Sequence, residues 1–294
     1  MLISQRLEKL AVEHDDSRRT IGLYLLDNPK SVDVLTMAQI AAETFSSKAT
    51  LVRVAKQLGF DGWTAFARAY GREQDRAAER ASAIDHNIPF APGAPMRDIM
   101  ASVAQVRADS CLETMQQQDA RDMERAVSYL VDAGHIMLLG MSTNEQCLGL
   151  FQRKLLQIGI NTSLPIVADY GAATQLLKAG DCVVASSYTG ENEMRKPMVY
   201  LKKLRERGVR VIALTSEGDN YLRRNADVTL TVLSREKLYQ KIATFSTEAS
   251  TECLLDMLYA GVFARDYERN LRYKTETSRE VEINRVVGNG LVAE

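Results

Sequence analysis

The chain has 294 residues, of which 46% are hydrophobic and 26% are charged, and its formal net charge is −1. This composition is typical of a folded globular protein, and the length allows about two domains. The near-zero charge excludes binding to nucleic acid or membrane through an overall field, so any DNA contact has to come from a local basic patch.

Targeting and membrane signals are not found in the sequence. Residues 1–10 alternate in charge and lack the apolar segment of a signal peptide, and no apolar run approaches the roughly 20 residues that span a bilayer. The four cysteines are too far apart for a zinc knuckle or a CxxC pair. We therefore expect a cytoplasmic protein with no membrane partner and no metal.

Helical patterns fill about the first 80 residues. Thr36 and Gln39 have the form of a capping box that opens a short helix over 36–44, and a second helix is expected over 47–58. The second helix has an apolar face, made by Leu51, Val52, Val54, Ala55 and Leu58, and a polar face, made by Ala49, Thr50, Arg53, Lys56 and Gln57. The pattern predicts two packed helices, of which the second keeps one side in solvent.

The polar side of the 47–58 helix suits a DNA major groove. The window from 44 to 60 contains no acidic residue that would repel phosphates, and Ser47 can cap the helix so that its first N–H groups face a phosphate. This arrangement indicates a helix-turn-helix. The DNA-binding candidates are Ser47, Lys48, Ala49, Thr50, Arg53 and Lys56. From the pattern alone, a helical hairpin with a solvated basic face remains open as the alternative.

A proline-rich stretch separates this helical region from the rest of the chain. Residues 85–95 hold three of the six prolines and little charge, which is typical of a linker. Helical patterns resume from 96 to about 133. We therefore divide the chain into a helical domain over 1–80, a linker over 81–95 and a second domain over 96–285.

From residue 136 onward, short apolar runs alternate with helical segments. Strands are expected near 136–140, 182–187, 209–215 and 228–233, with a further strand near 160–166. Helices are expected over 144–158, 193–207 and 247–264, followed by a polar tail over 265–285. The alternation predicts parallel βαβ units, in which ligands bind beyond the carboxyl ends of the strands.

Two of these strands end in small, hydroxyl-rich turns. One turn contains Ser142 and Thr143, and the other contains Ser186, Ser187, Thr189, Gly190 and Asn192. Hydroxyls, a flexible glycine and helix N-termini can bind an anion such as a sugar phosphate without a Lys or Arg. The ordinary preference of Ser and Thr for turns is enough to explain either turn alone. For two such turns in one βαβ series, this explanation and an anion-binding site are about equally favoured. No GxGxxG or GxxxxGK[ST] motif is present, and we expect no cofactor.

Both halves of the chain resemble known families. Residues 35–41, 47–53 and 58–62 resemble the helix-turn-helix of RpiR/MurR-type bacterial regulators, and residues 140–143, 187–191 and 213–216 are similar to a SIS (sugar isomerase) domain. Their order, with a linker between them, covers most of the chain. The resemblance implies an α/β fold class, with an N-terminal all-α helix-turn-helix domain and a C-terminal SIS domain whose parallel sheet is flanked by helices.

The same resemblance implies a transcriptional regulator of sugar metabolism. Such a regulator forms a homodimer or homotetramer, binds double-stranded, palindromic operator DNA and senses a phosphosugar effector. By position, Ser142, Ser187, Thr189 and Asn192 match the family's phosphate contacts, although Asn192 stands where Thr is commoner. Lys48, Ala49, Thr50 and Arg53 match the base-facing and backbone-facing positions of the recognition helix.

The turn between the two predicted helices departs from the family pattern. Phe45 and Ser46 occupy places where Gly and an aliphatic residue are usual. Because a Phe with a positive φ would be strained, we expect an altered local turn.

SIS domains also occur in isomerases, so an enzyme is the alternative. Aldose–ketose isomerisation needs a base, usually a carboxylate, and a ring-opening group, often His. The chain has only three histidines, His14, His86 and His135, and none follows residue 135. Glu248 and Glu252 on the late helix could approach the pocket and act as the base of a phosphosugar isomerase or lyase. We expect a sensor without enzymatic activity, with Glu248 among the ligand-binding residues.

Overall fold

The computed structural model describes residues 1–79 and 84–282. The helices are α1 Ile3–Glu13, α2 Ser17–Asp27, α3 Ser31–Val34, α4 Met37–Glu43, α5 Lys48–Gln57, α6 Trp63–Glu79, α7 Met96–Gln117, α8 Ala120–Val131, α9 Thr143–Leu156, α10 Tyr170–Ala173, α11 Met198–Glu206, α12 Tyr221–Arg224, α13 Phe245–Arg265 and α14 Tyr267–Glu282. The strands are β1 Ile136–Gly140, β2 Thr162–Ser163, β3 Cys182–Ser186, β4 Arg210–Thr215 and β5 Val228–Thr231. Of the segments predicted above, residues 80–83 and 283–285 lie outside the described residues. Among the described helices, none combines the length and apolar character needed to cross a membrane.

The chain forms two compact units. The first contains Met1–Glu113 together with two later segments, Ser216–Asp219 and Leu233–Ser250. The second contains Thr114–Thr215, Asn220–Val232 and the chain from Thr251 onward. The domain limits predicted at 80, 95 and 285 stay a prediction, and the structure adds that the loops following β4 and β5 belong to the N-terminal unit.

The first unit packs its helices around one apolar core. Leu51, Val54 and Ala55 on α5 are buried in a cluster with Ile40 of α4 and Phe66 of α6. Burial of an apolar helix face against neighbouring helices is the main source of stability for helices of this length. The apolar face predicted for 47–58 is therefore the face that the core covers.

Two side-chain caps start the helices of the helix-turn-helix. Thr36 Oγ1 accepts a hydrogen bond from Gln39 N at 3.3 Å, and Gln39 Oε1 accepts one from Thr36 N at 2.9 Å, which completes the predicted capping box. Ser47 Oγ accepts a hydrogen bond from Thr50 N at 3.1 Å and caps α5. Both helix starts are thus fixed by local sequence.

The turn between α4 and α5 keeps a regular geometry. Phe45 has a φ of 48°, and the hydrogen bonds Phe45 N to Ala42 O (3.1 Å) and Ser46 N to Ala41 O (2.8 Å) close the end of α4. This pair of bonds is the Schellman motif, which is usually completed by a glycine. The expectation that Phe45 alters the turn is therefore wrong, because the two backbone bonds hold the left-handed conformation despite the side chain.

Residues 84–95, predicted as part of a linker, pack within the first unit. His86 is 2% exposed, and its Nδ1 lies 3.4 Å from Ser246 Oγ. Burial lowers the pKa of His86. Asn87 Oδ1 accepts a hydrogen bond from Lys237 N at 2.6 Å, and Asn87 O accepts one from Ile242 N at 3.0 Å. This stretch is therefore held against the loop that follows β5.

The second unit is built on a parallel sheet with the strand order β2-β1-β3-β4-β5. The five strands occur in the predicted regions, and buried parallel strands read as short apolar runs because helices cover both faces. One face carries Ile136, Val184 and Ile212 and packs against α8, α9 and α13. The other face carries Met137, Val183 and Val211 and packs against α10, α11 and α12. The predicted α/β fold class is confirmed.

The helix after β3 begins later than predicted. The sequence suggests a helix from 193, whereas α11 begins at Met198, directly after Pro197. A proline disfavours helical geometry in the residue before it, so the helix can begin only at the proline. Residues 191–197 instead form a series of turns between the hydroxyl-rich turn and α11.

The predicted polar tail is a helix in the structure. α14 has no strong apolar face, but Asn270 Nδ2 donates to Phe263 O at 3.1 Å and Arg269 Nη1 donates to Ile158 O at 2.6 Å. A Cβ on Gly159 would lie 2.8 Å from the ring of Tyr273, so the helix packs closely on that turn. The contacts of Arg269 and Tyr273 join residues that are far apart in sequence, so the local sequence indicated only a polar tail over 265–285.

Candidate functional site

The exposed face of α5 carries the predicted DNA-binding residues. Ser47, Lys48, Ala49, Arg53 and Lys56 are exposed, and Thr50 is half-buried because its hydroxyl lies 2.9 Å from Ser47 Oγ. The opposite face is buried in the apolar core, so only this side of the helix is available to a ligand. Within the described residues 44–60 the face has cations and short polar side chains, which is the surface that a DNA groove accepts. Its role in DNA contact stays a prediction.

The two hydroxyl-rich turns lie side by side at the carboxyl edge of the sheet. Gly140, the last residue of β1, pairs in register with Ser186, the last residue of β3. Strand β2 pairs with one edge of β1, and β3 pairs with the other edge. The turns therefore meet at the topological switch point, where open α/β sheets form a crevice for ligands.

A hydrogen bond joins the two turns directly. Ser186 Oγ donates to Asn144 Oδ1 at 2.7 Å, which ties the end of β3 to the first turn of α9. Ser187 Oγ accepts a hydrogen bond from Gly190 N at 3.3 Å, and Ser187 N donates to Leu214 O at 3.0 Å. The hydroxyl groups of this edge are thus held in a connected arrangement.

Gly190 is the tightest position of the site. It has a φ of +55°, and a Cβ there would lie 2.7 Å from both Asn220 Oδ1 and Thr215 Oγ1. Thr215 Oγ1 donates to Tyr188 O at 3.1 Å, and Asn220 Nδ2 donates to Thr215 Oγ1 at 3.1 Å. Only glycine has both the conformation and the space that this turn requires.

Ser142 begins α9 with an unusual backbone conformation. Its φ is 57° and ψ is −132°, and it is the N-cap residue of a 14-residue helix without using its own side chain as the cap. Residues in such regions of conformational space occur preferentially at functional sites. The first N–H groups of α9 and the exposed Ser142 hydroxyl therefore lie together at this edge of the sheet.

A buried tyrosine supports the turn after β1. Tyr170 Oη accepts a hydrogen bond from Gly140 N at 2.9 Å and donates to Gly140 O. Burial raises the pKa of Tyr170, which is partly offset by the hydrogen bond with Gly140, and Glu145 adds a smaller increase. The phenol therefore stays neutral at physiological pH and can keep both hydrogen bonds to Gly140.

The remaining predicted residues are spread over different parts of the chain. Thr189 is half-buried in the same turn as Gly190, and Asn192 is exposed, with its Oδ1 accepting a hydrogen bond from Met194 N at 3.0 Å. Glu248 belongs to the first compact unit, where Thr244 Oγ1 donates to its Oε1 at 2.5 Å. Glu252 is half-buried on the part of α13 that belongs to the second unit. Their roles in ligand binding or catalysis stay predictions.

Sequence reasoning missed three residues that shape the site. Tyr170 gives no local signal, because it lies 30 residues beyond the glycine that it supports. Asn144 and Asn220 follow strand ends at β1 and β4, which is the one sequence cue that could have identified them. Residues 1–79 and 84–282 contain no group of three His, Cys, Asp or Glu side chains placed to hold a metal ion.

These observations define the class of protein: a helix-turn-helix unit combined with a doubly wound parallel α/β domain. Two family models match in this order. Residues 1–72 match the helix-turn-helix domain of the rpiR family, and residues 129–260 match the SIS domain. The chain therefore belongs to the rpiR family of helix-turn-helix transcriptional regulators, in the form that carries a SIS domain.

Two curated relatives match along nearly the whole chain. The HTH-type transcriptional regulator YbbH of Bacillus subtilis is 26% identical over 279 residues, which are 92% of this chain and 93% of that protein. An HTH-type transcriptional regulator of Clostridium perfringens is 22% identical over 283 residues, or 96% and 99% of the two chains.

A solved structure shows the same fold. The NanR protein of Vibrio vulnificus, complexed with ManNAc-6P, superposes with a TM-score of 0.60 at 21% identity, and the match covers 98% of this chain and 100% of that one. The sugar isomerase domain of an RpiR transcription factor from Sphaerobacter thermophilus matches with a TM-score of 0.53 at 21% identity, over 62% and 98% of the chains.

Proposed function

We propose that this regulator senses a phosphorylated sugar at the carboxyl edge of its sheet and that occupancy changes its affinity for an operator in sugar-metabolism DNA. The observation that carries the proposal is the adjacency of the turns after β1 and β3, which places Ser142 and Ser187 at the switch point of the sheet. The Vibrio vulnificus NanR protein, complexed with ManNAc-6P, supports this class of ligand.

Uncharged groups would bind the phosphate. The proposed donors are the hydroxyls of Ser142, Thr143, Ser187 and Thr189, the amide of Asn192 and the first N–H groups of α9. Ser186 and Gly190, which donate to Asn144 Oδ1 and Ser187 Oγ, would shape the turn that carries these donors. Helix N-termini carry partial positive charge that favours an anion. Glu248 would accept hydrogen bonds from sugar hydroxyls.

The ligand part of the proposal is tested by thermal-shift measurements of the full chain with a panel of phosphosugars and their unphosphorylated counterparts. We expect a phosphosugar to raise the melting temperature and the matching free sugar to have no effect, because the phosphate provides most of the binding energy. The Ser187→Ala variant should lose the shift, whereas Ser128→Ala, a change on α8 at a half-buried hydroxyl bonded to Glu124 O, should keep it. A phosphosugar-induced shift of equal size in the Ser187→Ala variant would argue against the assigned turn.

The DNA-binding part of the proposal depends on the exposed face of α5. Ser47, Lys48, Ala49, Thr50, Arg53 and Lys56 would contact a double-stranded operator, as the matched helix-turn-helix family implies. We propose a palindromic operator read by a homodimer or homotetramer in the cytoplasm, because one recognition helix contacts only one half-site. Gel shift against the DNA upstream of the gene and its neighbours checks this, and the absence of retardation with every such fragment would contradict it.

The three histidines support a sensor over an isomerase. His135 Nε2 lies 2.8 Å from Ser163 Oγ, at the amino ends of β1 and β2 and hence opposite to the edge with the hydroxyl-rich turns. His14 Nε2 lies 2.8 Å from Gln57 Nε2 on α5, and His86 is 2% exposed with its Nδ1 3.4 Å from Ser246 Oγ. We therefore propose that the bound sugar phosphate is not turned over. Turnover of a phosphosugar that is lost in the Glu248→Gln or Glu252→Gln variant would establish the enzyme alternative.

One guanidinium connects the recognition helix to the loop that follows β4. Within the first unit, Arg6 Nη1 donates to Leu58 O, at the C-cap of α5, at 3.1 Å, and Arg6 Nη2 donates to Asp219 O at 3.3 Å. Asp219 precedes Asn220, the residue that contacts the turn around Gly190 in the second unit. A cavity of about 720 Å³ is lined by Arg6 and by residues 217–219 of this loop. We propose this connection as the route by which ligand binding reaches α5.

Replacing Arg6 with methionine tests the route. The variant keeps the aliphatic stem but loses both donors, so we expect the effect of the phosphosugar on operator affinity to fall from the usual range for allosteric coupling, about 5- to 150-fold, to less than about 3-fold. Operator affinity and ligand affinity measured separately should each stay within about 3-fold of wild type. The control is Arg18→Met on α2, where Arg18 forms only a local ion pair with Asp16 among the described contacts. Undiminished coupling in the Arg6→Met variant would contradict the route.

A further inference from the structure

Phe45 combines two unfavourable features in the turn before the recognition helix. Its φ of 48° is in the left-handed region, and its side chain is 95% exposed. A non-glycine residue in this region is strained by its Cβ, and an exposed aromatic ring gains nothing from the apolar core. The residue therefore costs stability through its backbone, and its side chain does not offset that cost by burial.

Other helix ends of the same chain show what this position normally requires. Gly59 after α5, Gly159 after α9 and Gly208 after α11 have φ values of 88°, 75° and 78°. Each closes its helix with the same two backbone bonds, for example Gly59 N to Lys56 O and Phe60 N to Ala55 O, both at 3.0 Å. The chain thus uses glycine at three equivalent positions and phenylalanine at the one that leads into the recognition helix.

Hydrogen bonds fix the backbone of the turn that carries Phe45. Thr44 Oγ1 donates to Ile40 O at 2.8 Å and lies 2.9 Å from Ser46 Oγ, and the two Schellman bonds fix the backbone on both sides of Phe45. After Ser46 come Ser47, which is the N-cap of α5, and the exposed Lys48. An exposed apolar group on a fixed backbone therefore directly precedes the first turn of α5, which would enter the groove in the proposed DNA complex.

We propose that the Phe45 ring makes an apolar contact with a thymine methyl group of the operator and so helps to determine which DNA sequence this regulator selects. This inference depends on the proposed binding of DNA through α5. The C5-methyl group of thymine is the apolar feature of the major groove, and aromatic side chains are among its known contacts. DNA is favoured over a second protein copy because the ring adjoins Ser47 and Lys48 on a cationic, acid-free face.

Three variants of the full chain test the proposal: Phe45→Gly, Phe45→Ala and Phe45→Leu. Glycine removes both the strain and the ring, so we expect its melting temperature to rise by about 2 °C or more and its operator affinity to fall by about tenfold or more. Alanine keeps the Cβ and removes the ring, so affinity should fall equally at a nearly unchanged melting temperature. Leucine keeps an apolar group and should retain most of the affinity.

The contact itself is tested with the DNA. Replacement of operator thymines by deoxyuridine, one position at a time, should weaken wild-type binding at one position per half-site and leave the Phe45→Ala variant unaffected there. The proposal is overturned if Phe45→Gly and Phe45→Ala bind the operator as tightly as wild type does. It is also overturned if no thymine replacement affects wild type and Phe45→Ala differently. A third contradicting result is a changed oligomeric state in the variants with an unchanged operator affinity of the assembled oligomer. Failure of the wild-type protein to bind any upstream fragment is a different result, and it contradicts the proposed function itself.

Discussion

The Gly190→Ala variant is expected to lose phosphosugar binding. A Cβ at this position would lie 2.7 Å from Thr215 Oγ1 and Asn220 Oδ1, and the φ of +55° is unfavourable for alanine. The turn therefore has to move, and the hydroxyl of Ser187 and the backbone amides of the turn move with it. Loss of two hydrogen bonds to a charged phosphate costs about 3 kcal/mol, which corresponds to a Kd raised by about 100-fold. Isothermal titration of the variant with the phosphosugar identified by thermal shift measures this change.

Gly190→Ala is also expected to lower the free energy of unfolding, measured by chemical denaturation, by about 2–4 kcal/mol. Backbone strain and a steric clash both contribute to this loss. Gly180→Ala is the matched control, since Gly180 has a φ of +90° with no atom within 4 Å of the built Cβ. It should lose about 1–2 kcal/mol from strain alone and bind the phosphosugar normally. Equal ligand binding by Gly190→Ala and wild type would show that this turn does not form the phosphate site.

The Arg53→Glu variant is expected to lose operator binding while it keeps its fold and its ligand. Arg53 lies on the exposed face of α5, so its replacement should change the free energy of unfolding by no more than about 0.5 kcal/mol. A carboxylate there removes a contact and repels nearby phosphates, and we expect the operator Kd to rise by about 100-fold or more at low salt. Fluorescence anisotropy with labelled operator at several salt concentrations measures both the affinity and its salt dependence.

Arg272→Glu on α14 provides the matched charge reversal, since Arg272 is exposed and belongs to the second unit. Its operator affinity should remain within about 3-fold of wild type, because Arg272 is outside the helix-turn-helix and the field of an exposed charge is screened by salt. An Arg53→Glu variant that binds as well as the Arg272→Glu control would rule out this face of α5 as the DNA surface.

The helix-turn-helix was the part of the fold that local sequence could predict most fully. Thr36 and Ser47 cap the ends of two helices, and the spacing of Leu51, Val54 and Ala55 marks the buried face of α5. These features depend on residues within a few positions of each other. The turn was predicted less well, because a phenylalanine at a glycine position suggests a changed backbone, whereas the hydrogen bonds from Phe45 N and Ser46 N preserve it.

The strands of the second unit were also predictable, but only part of the candidate site could be predicted from the sequence. Short apolar runs identified β1 and β3, and the hydroxyls after them identified the turns. Their adjacency depends on the strand order, since β2 forms on the far side of β1 and leaves β3 as its neighbour. The supporting hydrogen bonds of Tyr170 and Asn220 come from other segments, and no local pattern specifies them.

We propose that ligand occupancy at the carboxyl edge of the sheet changes the affinity of α5 for operator DNA. This change in affinity is tested most directly by titrating the wild-type protein with its upstream operator at zero and at saturating concentrations of a phosphosugar that binds it. We predict an operator Kd that shifts by at least about 5-fold, with an equal reciprocal shift in phosphosugar affinity when operator is bound, as thermodynamic linkage requires. Unchanged operator affinity with a phosphosugar that demonstrably occupies the protein would contradict the account.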